Sequence, residues 1–391
     1  MPLNYQQIHT RIKEISLNAQ ARHEELNGLR QQTLRLLKEN ADRSDILREK
    51  VESAFQQDPG LRCALPLVER LDASFPAPVM PEKVTLIAAD GSQVAPDRHA
   101  PLQYCLYNVG AVVMQLNSGR SPEVRVDSHL LFDDEVYSEG GVLTEDALGL
   151  QRDIAERQTL LDLAKEVKPP IIALTDGPVE LWGAKDSTRE DYRKNLEVHK
   201  SVLSQLQAGG VVVAGYVDKP GANLVVRTLE ITKMAPNELE RVRENHPLRG
   251  VTDRWLFSQV LSPGHRSAVF ELQSRSRAHY TGTLALRFFY LNIGEIKHPS
   301  LVRIEIPRWV VDEKSQLDLL HAALLNQCRL MGARPYPYIL HRAHETAVIK
   351  QEEKLQLEQL LALGLYAVGG EVGEQSAKQS AKELPGRKRI K

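Results

Sequence analysis

Over the first 58 residues, apolar positions recur every three or four residues. Ile8, Ile12 and Ile15 share one helical face, and Leu26, Leu29 and Leu36 roughly continue it, with charged residues between. No proline lies between Pro2 and Pro59, and Gly28 is the one glycine in that stretch. The pattern predicts helix, broken at "ENADRSD" (Glu39 to Asp45), where Asp42 or Ser44 can cap a second helix. Such a stripe needs something to bury it: its own domain, a twin subunit or another partner.

The period then changes. "FPAPVMPEK" (Phe75 to Lys83) carries three prolines and reads as a linker. "VTLIAADGS" follows as a strand. "LQYCLYNVGAVVMQLN" is one or two strands, with a break expected near Asn108, Val109 and Gly110, and "EVRVDSHLLF" is another. Connections this short suit an antiparallel meander over roughly 84–137. Next comes a helix, "LTEDALGLQRDIAERQTLLDLAKEV". Thr144 is placed as its N-cap, Glu145 and Asp146 fill its first turn, and Pro169-Pro170 stops it. The strand "IIALTDG", the helix "REDYRKNLEVHKSVLSQLQAG" and the strand "GVVVAGYVD" follow, which is the pattern of parallel crossover units. The stretch from about 230 to 300 has a weaker pattern. "LALRFFYLNIG" and "LVRIEIPRWV" read as strands, "KSQLDLLHAALLNQCRLMG" as a helix closed by Gly332, and "YPYILHRAHETAVIKQEEKLQLEQLLALGL" as a last helical stretch. The tail after Gly369-Gly370 is polar and predicted to be disordered. The expected class is α/β.

Composition narrows the function. The chain has 391 residues, 42% of them apolar, enough for a sizeable core. No apolar run approaches the roughly 20 residues of a membrane helix, and the N-terminus has no signal-peptide core. These features predict a cytoplasmic protein without a membrane anchor. Cys63, Cys105 and Cys328 are scattered, which argues against a zinc knuckle or a disulfide framework. A formal net charge of -1 means that any nucleic-acid contact must come from a local patch. The densest basic stretch holds Arg266, Arg275, Arg277 and His279.

Two strands run into Asp-Gly, at Asp90-Gly91 and Asp176-Gly177. Asp-Gly alone is a good turn signal. However, Asp176 falls at the C-terminal end of an expected parallel strand, where open α/β sheets place their sites. Glu156 has Leu160 and Leu163 at i+4 and i+7, which puts it on an inward stripe, with Arg152 one turn earlier. A buried carboxylate needs a partner or a metal, and an Arg152–Glu156 surface pair is the plainer alternative. His341 and His344 share a helical face at i, i+3. Asp90, Glu156, Asp176 and a late histidine together suit a hard cation, Mg²⁺ or Mn²⁺, of the kind that assists phosphodiester cleavage. There is no Walker A loop, GxGxxG fingerprint or GxSxG elbow, which weakens ATPase, dehydrogenase and serine-hydrolase readings.

"IAADGSQ", "LQRDIAERQTLL", "LTDGPVEL", "LFSQVLSPGHRSAVF", "VRIEIPRWV" and "YPYILHRAHETAVI" stand in an order and spacing that resembles the NurA nuclease family, over about residues 84 to 350. The resemblance implies a ribonuclease H-like mixed sheet with flanking helices. It also implies Mn²⁺-dependent cleavage of DNA, as a 5′-to-3′ exonuclease and single-strand endonuclease. It further implies a homodimer working with a HerA-type hexameric ATPase in DNA end resection. Carried over by position, Asp90, Glu156 and Asp176 are the metal ligands, and His344, preceded by Ala343, is the fourth active-site residue. His341 does not match. Arg152 corresponds to a helix-borne arginine of the family, and Lys219 falls where the family often has a lysine, although Asp218 precedes it here. The domain plan so expected is an N-terminal helical region over 1–75, a nuclease domain over 84–368 and a polar tail over 369–391. Two other readings remain beside it: a docking subunit of a translocase, and a nuclease acting on RNA.

Overall fold

The computed structural model describes residues 3–97, 102–138, 141–183 and 189–369, so the polar tail beyond Gly369 lies outside the described residues. In chain order the elements begin with α1 (Tyr5–Glu39), α2 (Ser44–Gln57), β1 (Cys63–Pro66), β2 (Thr85–Val94), β3 (Tyr104–Gln115) and β4 (Glu123–Phe132). A small two-stranded sheet, β5 (Tyr137–Ser138) and β6 (Gly141–Val142), leads to α3 (Glu145–Glu166), β7 (Ile171–Asp176), α4 (Arg189–Ala208) and β8 (Val212–Val217). Then come α5 (Leu224–Lys233), α6 (Asp253–Ser258), β9 (Phe270–Gln273), β10 (Leu286–Asn292) and β11 (Leu301–Pro307). The last helices are α7 (Arg308–Asp312), α8 (Lys314–Leu330), α9 (Tyr338–Ala347) and α10 (Gln351–Ala367).

These elements form two compact units. One comprises Met1–Met80, Gly177–Val179 and Gly215–Asn326; the other comprises Pro81–Asp176, Glu180–Ala214 and Gln327–Lys391. The domain plan drawn from the sequence differs from this division. The N-terminal helices are not a region apart, because they share a unit with residues 215–326. The reason is burial: Val51, Ala54, Leu61, Cys63 and Leu65 form one apolar cluster with Ile231, Met234, Leu239 and Val242. The strand order of this unit is β1-β9-β10-β11-β8.

The other unit has the order β8-β7-β2-β3-β4. Strand β2 pairs in parallel with β7, from Thr85↔Ile171 to Ala89↔Thr175, and antiparallel with β3. Strand β4 completes the expected meander against β3. This mixed sheet, an antiparallel meander with β7 added in parallel beside its first strand, is the ribonuclease H-like arrangement. The first five residues of β2 are buried, as a central strand covered on both faces requires. Helix α3 starts where the sequence places it, with the Thr144 side chain accepting a hydrogen bond from the Ala147 amide at 3.2 Å.

Two local expectations change. Strand β2 does not end at Asp90-Gly91 but runs on to Val94, because its antiparallel partner β3 continues beside it with Asp90 opposite Gly110. Strand β3 is likewise unbroken through Asn108, Val109 and Gly110. Among the described residues, no helix is long and apolar enough to cross a membrane.

Helix α1 is a 35-residue element of two characters. Tyr5, Ile8, Ile12, Ile15 and Leu17 are exposed, whereas Thr33, Leu36 and Leu37 are buried. Leu37→Ala should therefore cost about 2–5 kcal/mol of stability, as buried leucine truncations do. In dilute protein, Ile12→Ser should stay within about 0.5 kcal/mol of the parent, as uncovered surface sites do. Urea unfolding of both variants checks this, and a large loss for Ile12→Ser would mean that the stripe is covered in solution.

Candidate active site

The two Asp-Gly steps have different physical reasons. Gly177 has φ +96, a left-handed conformation that side chains resist, and ends β7 sharply. Gly91 lies in a continuous strand, and its need is space. A Cβ there would stand 2.5 Å from Glu156 Oε1 and 2.6 Å from Arg152 Cγ and Cδ. Gly110 is the counterpart on β3, where a Cβ would overlap the Ala347 amide nitrogen and stand 2.7 Å from Thr346 C. Side chains alternate across a strand, so Gly91 opens one face of the sheet to α3 and the Asp90–Gly110 pair opens the other to α9.

Asp90 is held on that second face. Its Oδ1 accepts from the Gly91 amide at 2.8 Å, and its Oδ2 lies 2.7 Å from His344 Nδ1 on α9. A carboxylate can only accept, so the tautomer with its proton on Nδ1 is the one that suits this contact. The Asp90 side chain is 16% exposed and the His344 side chain 62%, so the rest of the imidazole faces solvent. Asp176 follows Thr175, just as Asp90 follows Ala89, and Ala89↔Thr175 is the last registered pair of the two parallel strands. The two aspartates therefore occupy equivalent positions on adjacent strands, whose backbones lie roughly 5 Å apart across the sheet.

Glu156 reaches the site from α3. The residue is 6% exposed, and Arg152 Nε lies 3.1 Å from its Oε1 while Arg152 Nη2 donates to Asp153 Oδ1 at 2.9 Å. The inward stripe holds; Arg152 does stand beside Glu156, but half-buried against β2 and not as the surface pair of the plainer alternative. Burial pushes the Glu156 carboxyl up to about 8; Asp153 and Asp90 add to the rise, and Arg157 and Arg152 oppose it. Asp90 is thus near enough to resist the ionisation of Glu156. Among the described residues, no three His, Cys, Asp or Glu side chains stand together in metal-holding geometry. The structure gathers Asp90 with His344, and Glu156 with Arg152 against Gly91, with Asp176 one strand over.

The basic candidates Lys219, Arg266, Arg275, Arg277 and His279 lie in the other unit and differ among themselves. Arg266 needs correcting as a phosphate contact. It is 4% exposed, pairs with Glu69 through both terminal nitrogens at 3.1 and 3.2 Å, and covers the Phe75 ring. Arg277 is half-buried and committed to Glu271 and Gln273. Arg275, His279 and Lys219 are exposed, and Lys219 has φ 43. His341 pairs with Glu345 at 3.4 Å, away from Asp90. Gly110 was not foreseen as a site residue, and its signal is slight: a glycine inside an otherwise strongly β-forming run.

Gly91→Ala should cost about 1–3 kcal/mol through overpacking, and Gly110→Ala more, because backbone atoms cannot swing aside as side chains can; denaturant unfolding measures both. Glu156 ordinarily titrates near 4.5 and in the folded protein near 8, so the folded state binds the extra proton between those values. Stability of the metal-free protein should therefore fall as pH rises from about 5 to 8. Glu156→Gln should flatten that fall in melting curves taken across the same range.

The whole site lies within a stretch that also matches known proteins. Residues 84–349 match the family model of the NurA domain. Comparison with curated proteins gives no match. Among solved structures, the chain is similar to a crystal structure of NurA with manganese, at 11% identity and a TM-score of 0.37, covering 74% of this chain and 91% of that one. It is similar to the catalytic domain of human Endonuclease V at 16% identity and a TM-score of 0.31, covering 71% and 84%. Similarity to Drosophila Piwi is at 12% identity and a TM-score of 0.29, covering 67% and 29%. The family match takes in Asp90, Glu156, Asp176 and His344 and spans most of the sequence: this chain belongs to the NurA family.

Proposed function

We propose that the chain is a divalent-metal-dependent DNA nuclease, a 5′-to-3′ exonuclease and single-strand endonuclease acting in DNA end resection. The observation that carries this reading is the pair Asp90 and Asp176 at equivalent positions of adjacent parallel strands, with His344 on Asp90 and Glu156 against Gly91. The donor set suits Mn²⁺ or Mg²⁺, because it is made of carboxylate oxygens and one of them, on Glu156, is buried with its charge under-compensated. Asp90 and Asp176 would hold the cation from adjacent strands, with Glu156 as the third ligand from the opposite, α3 face, where it is already close enough to feel the charge of Asp90. When bound, such a cation supplies activation of water and neutralisation of charge on the scissile phosphate. His344 keeps its Nδ1 proton on Asp90 and turns its open edge toward solvent, where it can orient a phosphate oxygen or accept a proton from water. Arg152 holds Glu156 in place from the α3 side.

Phosphate contacts then fall to the exposed cations Arg275 and Lys219, since Arg266 and Arg277 are committed within the fold. The uncovered stripe on α1 supports a homodimer, and the family supports a HerA-type hexameric ATPase as partner. The stripe is also what favours a docking role beside the catalytic one.

Asp90→Asn and Asp176→Asn should each give a folded, DNA-binding protein that no longer cuts DNA with Mn²⁺. His344→Ala should lose roughly 10²–10⁴-fold in cleavage, the usual worth of a proton-transferring group. Labelled single-stranded and duplex DNA and RNA, each with Mn²⁺, Mg²⁺ or chelator, decide the reading, and full cleavage by both Asn variants would end it. In chelator, Arg275→Ala should reduce the slope of log affinity against log salt by about 0.7–0.9, one phosphate's worth. Removing residues 1–24, which leaves the buried half of α1 in place, should lower the light-scattering mass from dimer to monomer; a truncated dimer would return the stripe to the ATPase.

A further inference from the structure

The helix that carries His344 ends on a seat built by β2 and β3. Ala347 is the last residue of α9, and its carbonyl has no partner within the helix. Ser92 Oγ donates to that carbonyl at 2.5 Å, and Asn108 Nδ2 donates to it at 2.9 Å. Ser92 Oγ in turn accepts from the Ile349 amide at 3.1 Å, which fixes the chain as it leaves the helix. Asn108 is itself oriented, because Ser128 Oγ on β4 donates to its Oδ1 at 2.7 Å. Asn108 is 8% exposed.

The register of the two strands makes this one device. Ser92 lies opposite Asn108, and Asp90 lies opposite Gly110. Residues two apart on a strand share a face, so all four positions look toward α9. The Ser92–Asn108 pair grips the helix terminus, and Gly110 gives the Ala343–Ala347 backbone room to lie against the sheet. Ala347 lies three residues beyond His344, a helical rise of about 4.5 Å, and Ser92 lies two residues beyond Asp90, a strand step of about 6.6–6.8 Å. The grip at Ala347 and the contact at His344 therefore lie within one turn of each other. Sliding α9 by one residue would break both together.

We propose that Ser92 and Asn108 are positioning residues for His344: by holding the Ala347 carbonyl they set the axial register of α9, and hence the 2.7 Å contact between His344 and Asp90. The reaction they serve is the cleavage proposed above, so this inference rests on that reading. A displacement of about 1 Å at a reacting group can cost on the order of 100-fold in rate.

Two measurements test it. In cleavage assays with Mn²⁺, Ser92→Ala and Asn108→Ala should each lower kcat roughly 10–100-fold while KM and DNA affinity in chelator change little. In a His344→Ala background the same substitutions should have almost no further effect, because groups acting through one residue are not additive. Losses that multiply with that of His344→Ala, or a Ser92→Ala/Asn108→Ala double variant with parental kcat, would overturn the proposal. In protein labelled with ¹⁵N-histidine, the His344 ring signal, assigned by its loss in His344→Ala, should shift in both single variants. An unshifted signal overturns the positioning role whatever the reaction. Shifted signals in a parent that cuts neither DNA nor RNA would overturn the nuclease reading alone. Should Ser92→Ala unfold, Ser92→Thr, which keeps the hydroxyl, should retain both kcat and the ring signal, and its failure to do so would count against the proposal.

Discussion

Helices α3 and α9 can approach β2 and β3 closely only where a hydrogen atom stands in place of a methyl group. Gly91 admits Glu156 and Arg152 on one face, and Gly110 admits the α9 backbone on the other. Each approach brings a titratable side chain close to Asp90. Without the first, Glu156 could not lie buried beside β2. Without the second, His344 could not reach Asp90. The electrostatics of the site follow from this packing, because a carboxyl wedged into the sheet surface loses water and holds its proton unusually tightly.

Much of this was legible in the sequence. The order of strands and helices in the Pro81–Asp176 segment is as the periodicity indicates, because a two-residue period, a capped helix and a double proline are strong local signals. The inward placement of Glu156 could be read from Leu160 and Leu163. What could not be read is tertiary. Asp-Gly looks like a turn until the partner strand is known, and β3 carries β2 through it. Likewise a run of Arg and His looks like a solvent face. Only the fold reveals that Glu69, 197 residues before Arg266 in the sequence, takes up one of those arginines. Contacts at such separation leave no local trace.

The charge balance gains meaning from this. With a formal net charge of -1, the protein has little overall attraction for a polyanion. Several of its cations are spent internally, as with Arg303 on Glu305 and Arg227 on Glu230. Any attraction for nucleic acid therefore rests on a few exposed side chains and on whatever neutralises the carboxylates of the site.

The seat of α9 also changes which substitutions are informative. Methods that probe a protein by trimming side chains to alanine treat every position as a possible loss. At Gly91 and Gly110 there is nothing to trim, and alanine is an addition. In any survey of tolerated sequence, these two positions should behave as strictly as catalytic residues while contributing no functional group of their own. The site is written partly in atoms that must not be there.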